Sequence, residues 1–223
     1  MRCLAGILFF TFLSWSAPVS VPAHPADDPG SWKLRKFEQG ISVYTRDTEG
    51  SKYKELKAVY QIKTSLSSII ALLNDVDNYP QWIYRCGSSK MLKQNSDEDM
   101  IRYQTVVAPW PVDNRDMIVE VHTRQDEKTG IVYQKVSGLP DYLPKAPGHV
   151  RIREFRATWT LKPMDNGMVE LQYELLVNPA GAIPAWVVNM AVVDGPFETS
   201  VKMKEWLLKE KYQKTSYAFI KEQ

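Results

Sequence analysis

The sequence has 223 residues but only 2 cysteines, Cys3 and Cys86, and 3 histidines. Once an expected leader containing Cys3 is removed, one thiol remains, which excludes an internal disulfide framework and leaves burial to supply stability. His24, His122 and His149 fall at no metal-ligand spacing, so no metal is expected. The sequence has no glycine-rich phosphate loop, nucleophile elbow or Cys-His signature, and no cofactor is expected. Cys86 reads as a small buried hydrophobe, and Asp113 and Asp116 read as turn residues, not an acid/base pair. An excess of charge of one sign is also lacking. The formal net charge of +2 gives no global field that would argue for nucleic acid.

The first residues read as a leader. Arg2 precedes the apolar run Leu4 to Leu13, broken only by Gly6 and Thr11, which is too short to span a bilayer and has the pattern of a secretory signal. Val21-Pro22-Ala23 places small residues where a signal peptidase reads them, so cleavage is expected after Ala23, with a retained anchor as the alternative. A periplasmic or secreted protein follows. No small-residue tetrad precedes a cysteine at that point, so a lipoprotein is not expected. Residues 24–30 read as a proline-bearing linker, 31–212 as one domain and 213–223 as a C-terminal tail. The 7 Trp and 11 Tyr suit a large core or a roomy aromatic pocket.

Periodicity sets the expected elements. Trp32 to Phe37 reads as a short helix, and Gly40 admits a strand at Ile41 to Thr45. Leu56, Ala58, Tyr60 and Ile62 alternate with polar residues as in a half-buried strand. Ser65 caps a helix carrying Leu66, Ile69, Ile70, Leu72 and Leu73, which Tyr79-Pro80-Gln81-Trp82 stops. Strands are expected near 86–93, 100–108, 116–124, 131–137, 150–162 and 168–178, joined as an antiparallel meander. One long loop, 138–148, holds Pro140, Pro144 and Pro147. The inward faces are Tyr103, Thr105 and Val107; Met117, Val119 and Val121; Phe155, Ala157, Trp159 and Leu161; and Val169, Leu171, Tyr173 and Leu175. So long a sheet must curl, and its concave face needs cover.

That cover is a C-terminal helix from Pro184 to about Lys211, with Trp186, Met190, Val193, Phe197, Val201 and Leu208 on its apolar stripe. Gly195-Pro196 interrupts it, either as a bend that fits the sheet or as a hinge. The fold class is α+β. Opening is expected between the loop 138–148, through Leu139, Tyr142 and Leu143, and the helix, through Trp186, Val187 and the weak point at Pro196.

Three segments in this order resemble the START lipid-transfer domain of the helix-grip superfamily, over about residues 31–210. They are Trp32 with Gly40-Ile41-Ser42-Val43-Tyr44; Pro109-Trp110-Pro111-Val112-Asp113-Asn114-Arg115-Asp116; and Asn178-Pro179-Ala180-Gly181-Ala182-Ile183-Pro184-Ala185-Trp186-Val187-Val188-Asn189. The resemblance implies a curved antiparallel sheet around the long helix, with a lipid held in an internal apolar cavity. Its expected lining is Tyr103, Thr105, Met117, Val119, Val121, Phe155, Trp159, Leu171, Tyr173, Trp186, Met190, Val193 and Phe197. Arg115 and Asp116 are expected to be structural. The family often has an arginine facing the cavity six places beyond the motif arginine, where this chain has Val121, so the resemblance points to a sterol or hopanoid more than a phospholipid. A monomer that touches membranes transiently, with no nucleic-acid partner, is expected. Two rivals stand beside this carrier: a cyclase-like enzyme on the same fold, and a docking module built on Lys202, Lys204, Lys209, Lys211 and Lys214 with Trp206 and Tyr212.

Overall fold

The computed structural model describes residues 31–222, without the side chains of Ala185, Trp186, Asn189 and Met190. The expected leader and linker lie outside the described residues. Gln39 and Gly40 take φ of 52° and 71°, the left-handed pair that a two-residue hairpin needs. They fold β1 (Lys33–Glu38) against β2 (Ile41–Arg46). The expected helix at 32–37 is therefore a strand: six residues cannot sustain an isolated helix, and the hairpin supplies the backbone partners.

β2 pairs with β3 (Glu55–Lys63), whose alternation buries Leu56, Ala58 and Tyr60. Next comes α1 (Leu66–Asn74), where Ser65 Oγ accepts the Ser68 N–H and Leu66, Ile69, Ile70, Leu72 and Leu73 are all buried. A short α2 (Tyr79–Trp82) follows. The antiparallel run is β4 (Cys86–Gln94), β5 (Asp99–Val106), β6 (Asn114–Gln125), β7 (Val132–Gly138), β9 (Glu154–Pro163) and β10 (Met168–Asn178). The stretch expected as one strand at 150–162 is two, because β8 (His149–Arg151) leaves the run to pair in parallel with the start of β6. β10 then pairs with β3, joining the first strands to the last in one curved sheet.

The concave face receives α3 (Ala185–Trp206), which continues through Pro196. Its second half is well buried through Phe197, Ser200 and Met203, and the Tyr60 hydroxyl donates to Met203 Sδ at 3.0 Å. Leu208, expected on the buried stripe, is 76% exposed. The helix ends at Trp206, so the following turn gives the inward position to Leu207 before α4 (Glu210–Gln213). The segment expected as a tail returns to the domain: Ile220 is buried, and Glu222 accepts the N–H groups of Leu66 and Ser67 at 2.9 and 2.8 Å.

Candidate functional site

α1 and the second half of α3 fill one end of the concave face. Beneath the first half of α3 the face is left open as a cavity of about 500 Å³. Met117 and Val119 from β6, Phe155 and Trp159 from β9, and Tyr173, Leu175 and Val177 from β10 form its sheet wall. Val187, Val188, Ala191, Val192, Gly195, Pro196 and Thr199 of α3 cover it, and Leu73, Tyr79 and Trp82 line it from α1 and α2. Trp159 stacks on Tyr173 with ring centroids 4.2 Å apart, so the wall is stiff as well as apolar. Gly195 lets α3 come close: a Cβ there would lie 3.3 Å from a Tyr84 ring carbon. The Tyr84 N–H also donates to Thr199 Oγ1 at 3.1 Å, fixing the helix to the segment before β4.

The mouth is formed by three loops. Lys52–Lys54 precede β3, Val107–Pro109 and Val112 join β5 to β6, and Pro179 and Ile183 lead into α3. A second, open depression of about 650 Å³ shares Lys52, Tyr53, Ile183 and Val188 with the cavity, which marks this side as the entrance. Arg115 ties two of the loops together by donating to the carbonyls of Asp113, Pro179 and Ala180. Beside the mouth, Trp110 is 90% exposed and Val107 is 42% exposed.

The charged part of the described lining is cationic: Lys52, Lys54, Arg85, Arg102 and Arg115 reach it, and among the described residues no aspartate or glutamate does. Arg102 is 7% exposed. Its Nη1 donates to the Tyr79 hydroxyl and the Leu73 carbonyl, its Nε has no partner, and no described carboxylate is within ion-pairing distance. Burial pushes the Tyr79 and Tyr173 hydroxyls above the ordinary phenol range, and it pushes the nearby Cys86 thiol up to about 11.

Of the expected lining residues, Met117, Val119, Phe155, Trp159 and Tyr173 meet at the cavity, joined by Val187 and Pro196 from the expected gate. Tyr103 and Thr105 lie on the opposite face of β5, where Thr105 pairs with Ser88 Oγ at 2.9 Å and Tyr103 sits beside Asp116. A one-residue change of face gives their inward places to Arg102 and Gln104. Val121 and Leu171 point inward at the filled end and belong to the solid core. Val193 is outside the lining, and Phe197 turns towards β1, with Lys36 Nζ 3.8 Å from its ring centroid. Trp186 and Met190 have side chains outside the described residues.

The loop 138–148 does not reach the cavity. Tyr142 and Leu143 are partly exposed, and Leu139 hydrogen-bonds through its backbone to Ile118. Arg151 pins this loop through the carbonyls of Pro140, Leu143 and Pro144 while pairing with Asp116. The C-terminal lysines are largely committed within the molecule: Lys204 to the Gln39 carbonyl, Lys211 to Asp75, Lys214 to Glu210, and Lys209 over the Trp206 ring.

Residues 62–194 match the family described as polyketide cyclase/dehydrase and lipid transport. An uncharacterised Pseudomonas aeruginosa protein is 38% identical over 199 residues, covering 88% of this chain and 95% of its own length. Mouse phosphatidylcholine transfer protein is 28% identical over 182 residues, covering 77% and 81% respectively. The crystal structure of a STAR-related lipid transfer protein fragment from Xanthomonas axonopodis superposes with a TM-score of 0.74 at 34% identity, over 80% of this chain and 99% of that one.

Proposed function

The chain is a START-type member of the polyketide cyclase/dehydrase and lipid transport family, and on that premise we propose that it binds one lipid in the cavity under α3 and carries it between membranes. The observation that carries this reading is the cavity itself: about 500 Å³, with largely apolar walls. Burying ten methylenes would contribute about 8 kcal/mol at about 0.8 each before ordering costs, enough for micromolar binding. Carriage is favoured over catalysis because the lining has no histidine or carboxylate among the described residues and its buried tyrosines are held protonated.

Exposed Trp110 and Val107 beside the entrance support a transient membrane contact. Export, with cleavage after Ala23, belongs to the same reading and rests on the leader's composition. The preference for a sterol or hopanoid loses its premise, since Val121 packs in the solid core and a different arginine, Arg102, reaches the cavity.

The test is extraction and mass analysis of lipid from the purified mature chain, followed by transfer between vesicles. About one lipid per chain is expected, with transfer slowed by Trp110→Ala while binding is retained. A chain that carries no lipid and accelerates no transfer would overturn the proposal.

A further inference from the structure

The buried arginine on β5 says more about the cargo than the apolar walls do. Removing a guanidinium from water is costly, and proteins normally offset the cost with a carboxylate. Arg102 has no such partner among the described residues. It braces two neutral acceptors, the Tyr79 hydroxyl and the Leu73 carbonyl, through one nitrogen and leaves Nε without any, and its guanidinium carbon lies 4.9 Å from the Tyr79 ring centroid, a contact that offsets only part of a buried charge. Two neutral acceptors could be satisfied by an uncharged donor, so bracing alone does not account for a full charge at this depth. A second observation points the same way: the described lining draws on five cationic side chains and no acidic one, with Lys54 paired to Asp47 outside it and Arg115 held by backbone carbonyls. Gln104, two residues along on the same face of β5, adds an amide to the lining near the guanidinium.

Building on the lipid-binding reading, we infer that the cavity selects a lipid with an anionic head, a carboxylate or a phosphate, which pairs with Arg102. The fork of a guanidinium matches either group. The head enters first and comes to rest against Tyr79, Arg102 and Gln104. The hydrocarbon lies along Met117, Val119 and Trp159 under α3, with its end towards the mouth. Lys52 at the mouth attracts the anion before it is buried, Lys54 being paired with Asp47.

Three probes of equal chain length separate the possibilities: dodecanoate, dodecyl phosphate and dodecanol, titrated below their aggregation limits into the delipidated mature chain at neutral pH. At least one charged probe is expected to bind about tenfold or more tighter than the alcohol, and the stronger of the two identifies the head group. Arg102→Met is expected to abolish that preference while the alcohol binds as well as before or better, and Arg102→Lys to retain part of it. The folding of each variant is checked by its thermal transition without ligand.

Equal affinity of the parent for all three probes would overturn the inference and leave lipid binding intact. A folded Arg102→Met chain that keeps the charged preference, or weakens for all three probes alike, would also overturn it, the latter by showing that the arginine only braces the wall. Failure of every probe to bind the parent would overturn the lipid-binding reading itself.

Discussion

At the scale of single residues, Asp116 and Arg151 are the most deeply buried ion pair among the described residues. Their side chains are 0% and 1% exposed, they meet through two hydrogen bonds of 2.9 and 2.8 Å, and the same guanidinium holds three loop carbonyls. Removing one member leaves a buried charge alone, so Arg151→Met is expected to cost about 3–5 kcal/mol in urea unfolding. The more exposed Arg153–Asp141 pair should give no measurable change when broken. Burial pushes the Asp116 carboxyl up, but the Arg151 hydrogen bonds and charge outweigh it and leave the pKa below the ordinary value. The pair's contribution is therefore present above about pH 4, the unfolded carboxylate value, and is lost as pH falls through the lower folded value. The parent should lose stability over that acid range more steeply than Asp116→Asn. Equal slopes would show that Asp116 titrates normally. The sequence marked Arg115 and Asp116 as structural because a turn motif is local, but it could not show that the partner of Asp116 lies 35 residues away. Arg102 escaped for another reason: Tyr103 and Thr105 look like the more apolar phase of β5, and only a fixed register reveals that the charged phase is the buried one.

At the scale of elements, the segment after α4 works as a clasp on α1. Ser65 satisfies the Ser68 N–H at the start of α1, and the Glu222 carboxylate takes the two before it, those of Leu66 and Ser67, while placing negative charge at the positive end of the helix. Ile220 is buried, and Tyr217 and Phe219 pack beside the core with ring centroids 5.4 Å apart. Lost capping of about 1 kcal/mol and lost burial of Ile220 of about 2 kcal/mol predict that a chain ending at Thr215 is about 3 kcal/mol less stable. Glu222→Gln alone should lose only the smaller share. A truncated chain with an unchanged urea midpoint would show that the segment is not docked. Period-two and period-3.6 patterns identified α1, α3 and most strands, because each buries one face. They missed β1, whose two faces are both partly exposed and whose strand state comes from the Gln39–Gly40 hairpin. They missed this clasp as well, since so short a segment has no period and its contacts lie more than a hundred residues away in the chain.

Across the whole molecule, the two halves of α3 are built to different standards, and that difference provides a way into the cavity. The second half lies on solid core: Phe197 and Met203 are buried, and Tyr60 and Tyr84 each add a hydrogen bond to it. The first half starts at Pro184 without a side-chain cap and spans a space where Val188 and Val192 have no protein atoms opposite them. Pro196 has no N–H to give the Val192 carbonyl, so the junction between the halves is short of one backbone bond. Local opening should therefore begin over the cavity and stop near Phe197, exposing the space beside the Lys52–Lys54 loop and leaving the sheet and the rest of the core closed. Hydrogen exchange followed by mass spectrometry is expected to show amides of Val187–Asp194 exchanging well before those of Phe197–Trp206 in the delipidated chain. A bound lipid supplies the missing contacts, so it should slow the first group and leave the second nearly unchanged. Equal protection of the two halves without lipid would mean that α3 moves as one rigid element and that the cargo enters without a local opening of its first turns.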